Sequence, residues 1–278
     1  MLLIDGTYLI YKSYYRARKT KKRFGLNNLT HFKKVARNNF LRMVISIYKE
    51  HGNGTLFIAF DGEGLNYRHD LLPSYKMHRK EKPEELLSIK KEIYRFLKQH
   101  HFSFQISDQE EADDLIASMV EQNPERTFSI FSGDLDMGAL VRRNVTLLFD
   151  KNQKEIHKIS LHNFHSFFPT PPSLLQEFKS FQGDKSDNIK GIKGLSKTEV
   201  LHLLMEYQNI DRFLTDGINH HLYPKISQHE HHIKINREVL KLKTDCHLTH
   251  KPEQCQFDQI QLPDILAKKI NWSSSKKL

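Results

Sequence analysis

Short apolar runs that end in an aspartate beside a glycine recur along the chain. Residues 2–4 lead into Asp5-Gly6, residues 55–60 lead into Asp61-Gly62, and residues 127–132 lead into Gly133-Asp134. Runs of β-branched and aromatic residues bounded by turn-forming residues are typical of buried strands. Residues 102–106 and 144–149 show the same composition. The pattern therefore predicts strands in all five runs.

Helical periodicity separates these runs, over residues 29–49 and 84–99. A third helix is predicted to open at residues 110–114, with Ser107 or Asp108 as its cap, because a buried stripe follows at helical spacing. That stripe consists of Ala112, Leu115, Ile116, Met119 and Val120. Strands alternating with helices predict an α/β fold, in which a mostly parallel central sheet carries helices on both faces.

Parallel strands bring their carboxyl ends to one edge of a sheet. We therefore expect Asp5, Asp61, Asp134 and Asp136 to gather there, together with the acidic helix start of Glu110, Glu111, Asp113 and Asp114. The mutual repulsion of so many carboxylates exceeds their stabilisation by the helix dipole, which is typically under about 1 kcal/mol per group. The pattern predicts a cation site. Asp150, which follows the run at 144–149, is interpreted as a turn former.

The amino-acid composition also indicates a polyanionic binding partner. The 278 residues include 43 Lys and Arg against 33 Asp and Glu, a formal charge of +10, with basic runs at 16–23 and 67–95. The two cysteines, Cys246 and Cys255, lack paired zinc-ribbon spacing, so reduced thiols are expected. The histidine-rich stretch 229–232 is interpreted as an exposed helix, not a zinc site. No apolar run could span a membrane, and a cytoplasmic location is expected.

A second acidic motif lies beyond the predicted sheet. Asp184 and Asp187 are three residues apart, a spacing that suits one face of a helical turn. A glycine-containing basic hairpin follows at 191–197, and it carries Lys193 and Lys197. Glycines allow close backbone approach, and backbone N–H groups and lysines can hold phosphate oxygens. We interpret this hairpin as a phosphate-binding element.

Six motifs in order make the chain resemble the 5′ nuclease family, which includes flap endonucleases, bacteriophage 5′-exonucleases and the N-terminal nuclease of bacterial DNA polymerase I. They are Leu-Ile-Asp5-Gly, Ala-Phe-Asp61, Leu72-Pro73-Ser74-Tyr75-Lys76 with Arg79, Glu111-Ala-Asp113-Asp114, Ser132-Gly-Asp134-Leu-Asp136 and Gly183-Asp184-Lys-Ser-Asp187-Asn188. The resemblance extends from residue 2 to about residue 248. Each motif alone is weak, but their common order makes chance a poor explanation.

The resemblance implies a divalent-metal site whose ligands bind directly or through water: Asp5, Asp61, Glu111, Asp113, Asp114, Asp134, Asp136, Asp184 and Asp187. Oxygen ligands select hard cations, so two or more Mg²⁺ ions are expected, with Mn²⁺ as a substitute. Lys76 and Arg79 match the family's basic catalytic positions, where a cation stabilises charge on the transferring phosphoryl group.

The resemblance also implies DNA contacts. Residues 66–98 correspond to a helical arch over the active site, in which Tyr75 either stacks on a base or anchors the arch by packing. Lys12 is expected to contact phosphate. The hairpin, with Lys193, Ser196 and Lys197, resembles the family's duplex-gripping helix-hairpin-helix motif, which often holds K⁺. Ser196 replaces a glycine of that motif, which argues against K⁺ here.

The expected organisation is an α/β catalytic region at 1–165, a helical DNA-binding region at 166–260 and a polar tail at 261–278. The expected activity is 5′-3′ exonuclease and flap endonuclease cleavage of DNA by a monomer, with RNA–DNA hybrids as a further substrate. The alternatives are a ribonuclease acting on such hybrids and a non-catalytic, structure-specific DNA-binding protein. A phosphatase with Asp5 as nucleophile is disfavoured, because residues 4–7 lack the second aspartate that its loop needs.

Overall fold

A six-stranded sheet organises the first part of the chain in the computed structural model, which describes residues 1–24, 28–79, 81–151 and 155–257. The strands are β1 (Leu2–Asp5), β2 (Leu56–Phe60), β3 (Phe104–Ile106), β4 (Phe128–Ser132), β5 (Val145–Lys151) and β6 (Glu155–Ile159). Their spatial order is β3-β2-β1-β4-β5-β6, and all neighbours are parallel except the β5–β6 pair. The predicted, mostly parallel sheet is confirmed.

Helices cover both faces of this sheet, as the periodicity predicts. On one face, α1 (Gly6–Phe24), α2 (Leu29–His51) and α4 (Glu84–Gln99) pack against Ile4 and Ile58. On the other, α5 (Ala112–Glu121) packs against Leu3 and Phe57. Alternate residues of one strand thus enter opposite cores, which is why the central strands are apolar throughout. A short helix, α3 (Tyr67–Leu71), precedes α4.

Two local sequence predictions need correction. Glu111 itself is the N-cap of α5, and its backbone N–H donates to the Asp114 carboxylate at 3.0 Å; Ser107 instead donates to Glu110. Asp150 lies within β5, paired with Ile156 of β6, and is not a turn residue. Both errors arise because a strand or helix boundary depends on tertiary hydrogen bonds that local composition does not specify.

A helical region follows, with a core of its own that includes Phe181, Leu204 and Phe213. Its elements are α6 (Leu175–Gln182), the two-stranded hairpin β7 (Gly183–Asp184) and β8 (Ile189–Lys190), α7 (Lys197–Tyr207), α8 (Ile210–Asp216), α9 (Tyr223–Ser227) and α10 (Glu230–Leu240). Short 3₁₀ helices lie at Leu135–Leu140, Leu161–Ser166, Pro172–Leu174 and Pro252–Gln254. The histidine-rich stretch opens α10.

After α10 the chain returns to the sheet. Leu242, Cys246 and Cys255 are buried in the same core as α5, and Gln256 forms a bridge with Thr55 beside β2. The helical region thus ends near residue 240, and the following segment packs against the six-stranded sheet. Both cysteines are free thiols. The predicted tail at 261–278 lies outside the described residues. Among the helices described, none has the length and apolar character needed to cross a membrane.

Candidate active site

The central strands deliver carboxylates to the carboxyl edge of the sheet. Asp5 is the last residue of β1, and its two oxygens accept hydrogen bonds from the Tyr8 backbone N–H at 2.9 Å and the Ser132 hydroxyl at 2.8 Å. Asp61 directly follows β2 and accepts from the Ala112 backbone N–H at 2.9 Å. Strand β1 is therefore bound to β4, and β2 to the start of α5, through acidic side chains.

Glycine is required where the turn after β4 passes α1. A Cβ built on Gly133 would lie 2.2 Å from the ring of Tyr8, so any larger residue would collide with α1. Asp134 follows and caps the next 3₁₀ helix by accepting from the Asp136 backbone N–H at 2.8 Å. Close packing of this turn brings Asp134 and Asp136 to the acidic edge.

Burial and mutual repulsion disturb the ionisation of this group. Burial, followed by the charge of Asp61, raises the pKa of Asp5 to about 7. Burial, followed by Asp5 and then Asp134, raises the pKa of Asp113 well above its ordinary value. Burial and then Glu111 raise the pKa of Asp61. Such coupling requires that Asp5, Asp61, Asp113, Asp134 and Glu111 lie near one another.

A lysine that sequence analysis did not single out joins the second acidic group. Lys179 of α6 contacts Asp136 and donates to Asp184 at 2.6 Å. Burial and the nearby charge of Asp134 raise the pKa of Asp136 to about 7, although Lys179 opposes this. Burial also opposes ionisation of Asp184, but Lys179 outweighs it and lowers the pKa of that carboxyl. Lys179 therefore joins the sheet edge to the helical region.

The segment before α4 places two cations among the carboxylates. Lys76 Nζ donates to both oxygens of Glu111 at 2.7 and 2.8 Å, and Arg79 donates to Asp187 at 2.7 Å. Burial opposes ionisation of Glu111, but Lys76 and then Arg68 lower its pKa. Lys76 has φ of +54°, an uncommon conformation for a non-glycine residue, and its N–H donates to the Asp187 carbonyl at 3.0 Å. The predicted cationic residues thus lie beside the predicted acidic ones.

Tyr75 anchors this segment. Its side chain is 2% exposed and packs with Ile189, Val239 and Leu240, while its hydroxyl donates to Glu111 at 3.1 Å. A ring buried to this extent has no face open to a nucleotide, so the base-stacking prediction is corrected in favour of packing. The predicted arch at 66–98 consists of α3, a turn at 73–79 and α4, and its Tyr75 turn packs against the helical region.

Asp114 differs from the other predicted ligands. It is completely buried, and its oxygens accept two bonds from the Arg68 guanidinium, each of 2.7 Å, and one each from the Glu111 and Lys243 backbone N–H groups. Arg68 also donates to the Val239 carbonyl at 2.8 Å. With both oxygens used in this way, Asp114 is a structural residue and not a metal ligand in this arrangement.

The DNA contacts predicted outside the arch are distributed over two surfaces. Lys12 is 14% exposed and contacts the buried carboxylate of Asp150, so its charge is already partnered within the protein. Lys193, Ser196 and Lys197 are exposed at the hairpin. The Ser196 backbone N–H donates to Glu199 at 2.7 Å and its hydroxyl accepts from the Glu199 N–H at 3.1 Å. Ser196 therefore caps α7.

Three pairings were not predicted from the sequence: those of Arg68 and Lys179 with the acidic edge, and that of Lys12 with Asp150. Arg68 and Lys90 belong to the basic run at 67–95, yet they are only 2% and 4% exposed. Lys179 lies 5 residues before its partner Asp184, which is a weak local signal of their contact. The contacts of Lys179 with Asp136, of Arg68 with Asp114 and of Lys12 with Asp150 join residues 43 to 138 apart, so no local spacing reveals them.

The acidic edge is chemically suited to hard cations without being a closed cage. In the described part of the chain, no three carboxylate, imidazole or thiol groups converge as ligands of a single ion. The ion pairs described at this edge involve Glu110, Glu111, Asp114, Asp136, Asp184 and Asp187. Asp5, Asp61, Asp113 and Asp134 take no part in them. These oxygen donors take part in no ion pair among the described residues and, except for the exposed Asp134, are partly or fully buried, so they fit Mg²⁺ or Mn²⁺ with water completing the coordination.

A carboxylate-lined edge beneath cationic side chains is the site of a phosphoryl-transfer enzyme, and comparisons with known proteins specify the family. The profile described as "5'-3' exonuclease, N-terminal resolvase-like domain" matches residues 1–166, and "5'-3' exonuclease, C-terminal SAM fold" matches residues 170–263. The chain therefore belongs to the 5′-3′ exonuclease family, and it is a nuclease.

Individual relatives agree with the family profiles. The chain is 34% identical to a 5′-3′ exonuclease of Mycoplasmopsis pulmonis over 76% of this chain and 68% of that protein. It is 32% identical to a 5′-3′ exonuclease of Mycoplasma genitalium, over 94% and 91% of the two chains. The fold also matches the flap endonuclease D15 of bacteriophage T5, solved as a complex with DNA and metal ions, with a TM-score of 0.68 and 18% identity over 87% and 89% of the two chains.

Proposed function

We propose that this nuclease uses divalent metal ions to hydrolyse DNA phosphodiesters near 5′ ends and at single-strand/duplex junctions, by both exonuclease and flap endonuclease cleavage. The observation that carries the proposal is the placement of Lys76 and Arg79 beside carboxylates from separate motifs, Glu111 and Asp187. Acidic oxygens that can hold metal thus lie next to cations that can hold phosphate. Both are needed to cleave a polyanion.

Asp5, Asp61, Asp113 and Asp134 are the residues we propose to hold metal, with Glu111, Asp136, Asp184 and Asp187 contributing directly or through water. Their chemistry supports two or more Mg²⁺ ions, with Mn²⁺ as a substitute. When bound, such ions neutralise phosphate charge and activate the attacking water. Asp114 is omitted from this set, because Arg68 engages both of its oxygens.

Lys76 and Arg79 have separate parts in the proposal. The Lys76 side chain is 19% exposed and held by Glu111, so it is fixed at the acidic edge and can neutralise the scissile phosphate. Arg79 is 54% exposed and can turn toward the incoming strand while remaining near Asp187. A cavity of about 330 Å³ lies beside them, lined in part by Asp61, Asn66 and Lys82. We propose that the scissile nucleotide enters there.

Duplex recognition is assigned to the exposed hairpin, where Lys193 and Lys197 can contact backbone phosphates. Phosphate contacts carry little sequence information, so we propose that the protein selects DNA by its structure. A monomer acting on such junctions, with the RNA strand of an RNA–DNA hybrid as a further substrate, is consistent with these contacts. Loss of both lysines should weaken duplex binding and reduce its salt dependence.

The test uses fluorescent 5′-flap, single-stranded, blunt-duplex and RNA–DNA substrates, incubated with the protein in Mg²⁺, Mn²⁺ or EDTA. Cleavage near the flap junction that requires a divalent ion is expected. Tight binding without cleavage in either metal would contradict the proposal. Faster cleavage of the hybrid's RNA strand than of any DNA substrate would instead favour the ribonuclease alternative.

A double substitution tests the acidic edge directly. Asp134→Asn with Asp136→Asn should abolish cleavage while preserving the fold and measurable DNA binding, because carboxylates that hold metal are lost and their shape is kept. Asp245→Asn is the matched control, since Asp245 is exposed and lies in the return segment after α10. Normal turnover by the double variant would refute the metal assignment.

A further inference from the structure

The turn of the hairpin is rigidly attached to the helical region. Gly194 is exposed at its tip with φ of +69°, while Ile192 and Leu195 on either side are buried. Both pack in the same core as Ile226 of α9, which is fully buried. The hairpin and α9 therefore keep a fixed relation to each other, and a side chain next to Ile226 is held at the hairpin.

That side chain is Lys225. Its half-buried ammonium donates a hydrogen bond to the Gly194 carbonyl oxygen. A Cβ built on Gly194 would lie 2.9 Å from Lys225 Nζ, the end of a flexible side chain, so it is the left-handed turn that requires glycine here. Gly194 thus has a specific packing partner, and that partner is charged.

The same contact determines whether a K⁺ ion fits the hairpin. K⁺ is held in proteins by several backbone carbonyl oxygens that replace its hydration shell. Here the Gly194 carbonyl is already engaged by an ammonium. The neighbouring Leu195 carbonyl is engaged as well, because it accepts a hydrogen bond from the Gln182 side-chain amide at 3.3 Å. The residues present therefore do not fit a monovalent cation at this turn.

We propose that Lys225 supplies, within the chain, the positive charge that a bound K⁺ would provide at this hairpin, so that duplex binding is independent of K⁺. The ammonium has two further N–H groups that can donate to a DNA phosphate beside Lys193 and Lys197. Lys225 is thus a positioning residue: it holds the Gly194 carbonyl and presents charge to the duplex. This inference rests on the proposed duplex binding by the hairpin.

The test measures duplex affinity by fluorescence anisotropy in the Asp134→Asn/Asp136→Asn background with EDTA, at equal ionic strength in potassium or tetramethylammonium chloride. The Kd of the protein with Lys225 intact should differ by less than about twofold between the salts, and Lys225→Met should weaken binding by about fivefold or more in tetramethylammonium. Lys225→Arg should restore most of the affinity, because its guanidinium also carries charge. Lys49→Met, which changes an exposed lysine in the last turn of α2, is the matched control.

Two outcomes would overturn the inference: binding by the protein with Lys225 intact that tightens at least about fivefold in K⁺, or Lys225→Met binding as tightly as Lys49→Met. Thermal unfolding of each variant separates loss of charge from loss of fold, and the Lys225→Arg rescue does so independently. A Lys193→Met/Lys197→Met variant separates the two proposals. If this variant binds duplex normally, the hairpin is not the duplex site; if it is weakened and Lys225→Met is not, only the role of Lys225 fails.

Discussion

Crowding at the acidic edge should make the metal-free protein less stable as the pH rises. Asp5 is 7% exposed, and burial followed by Asp61 raises its pKa from 3.8 to about 7. The folded state therefore binds this proton more tightly than the unfolded state does. The resulting stabilisation is fully present below about pH 4 and is lost as the pH rises through about 7.

The magnitude follows from the difference between the two pKa values. Each pKa unit corresponds to about 1.4 kcal/mol, so the contribution of Asp5 amounts to about 4 kcal/mol between the limits of its titration. Asn in place of Asp5 keeps an oxygen acceptor for the Tyr8 N–H, but it has no charge to repel Asp61. Asp5→Asn should therefore reduce the fall in unfolding free energy between about pH 5 and pH 8 by about 2–4 kcal/mol.

Urea unfolding in EDTA at these two pH values measures the effect. Asp245→Asn, at an exposed position remote from the edge, should show the same pH dependence as the unaltered protein. Adding Mg²⁺ at the higher pH should stabilise the unaltered protein more than Asp5→Asn, because a ligand stabilises the state that binds it. An identical loss of stability in Asp5→Asn and the unaltered protein would refute the reasoning about burial and repulsion.

Four further substitutions test the ion pairs and the hydroxyl bonds of Tyr75, each by urea unfolding. Asp114→Ala leaves the Arg68 charge buried and should cost about 3–5 kcal/mol, whereas Asp113→Ala removes repulsion and should raise metal-free stability; effects of equal sign would contradict this. Lys179→Met should lower the free energy of unfolding in EDTA by about 1–3 kcal/mol. Mg²⁺ should then stabilise this variant more than it stabilises the unaltered protein, because Lys179 and Mg²⁺ compete for the same carboxylates. An equal or smaller Mg²⁺ effect would argue against that competition. Tyr75→Phe keeps the packed ring but removes the hydrogen bonds of the hydroxyl, which should lower the free energy of unfolding by about 1–2 kcal/mol. Unchanged stability would show that those bonds contribute nothing.

The secondary structure near the site was predictable because its apolar runs are long and regular. The predicted helices at 29–49 and 84–99 agree with α2 and α4 to within two residues. Strand β1 is buried along its whole length, as its continuous apolar composition indicates. Parallel pairing follows from helices that intervene between the strands, and it brings Asp5 and Asp61 to one edge.

The pairing of charges was not predictable in the same way. Tyr75, Lys76 and Arg79 belong to one motif, yet Tyr75 is buried, Lys76 is held by Glu111 and Arg79 remains half-exposed. The three residues differ because of where α10 and the β7–β8 strand pair lie. Contacts between residues more than 100 positions apart in the sequence determine those locations. Asp114 shows the same limit, since its neighbour Asp113 differs from it only in facing another part of the fold.

The sequence by itself determined the fold class, the acidic edge and the basic hairpin, because hydrophobic period, strand-end position and side-chain chemistry are local properties. Only the tertiary structure decided which charges are free and which are partnered. Lys179 between two aspartates, Arg68 on Asp114 and Lys225 at the Gly194 carbonyl all depend on the packing of helices distant in sequence. Ionisation and ion pairing depend on burial and on distances of a few ångströms, which only the folded chain establishes.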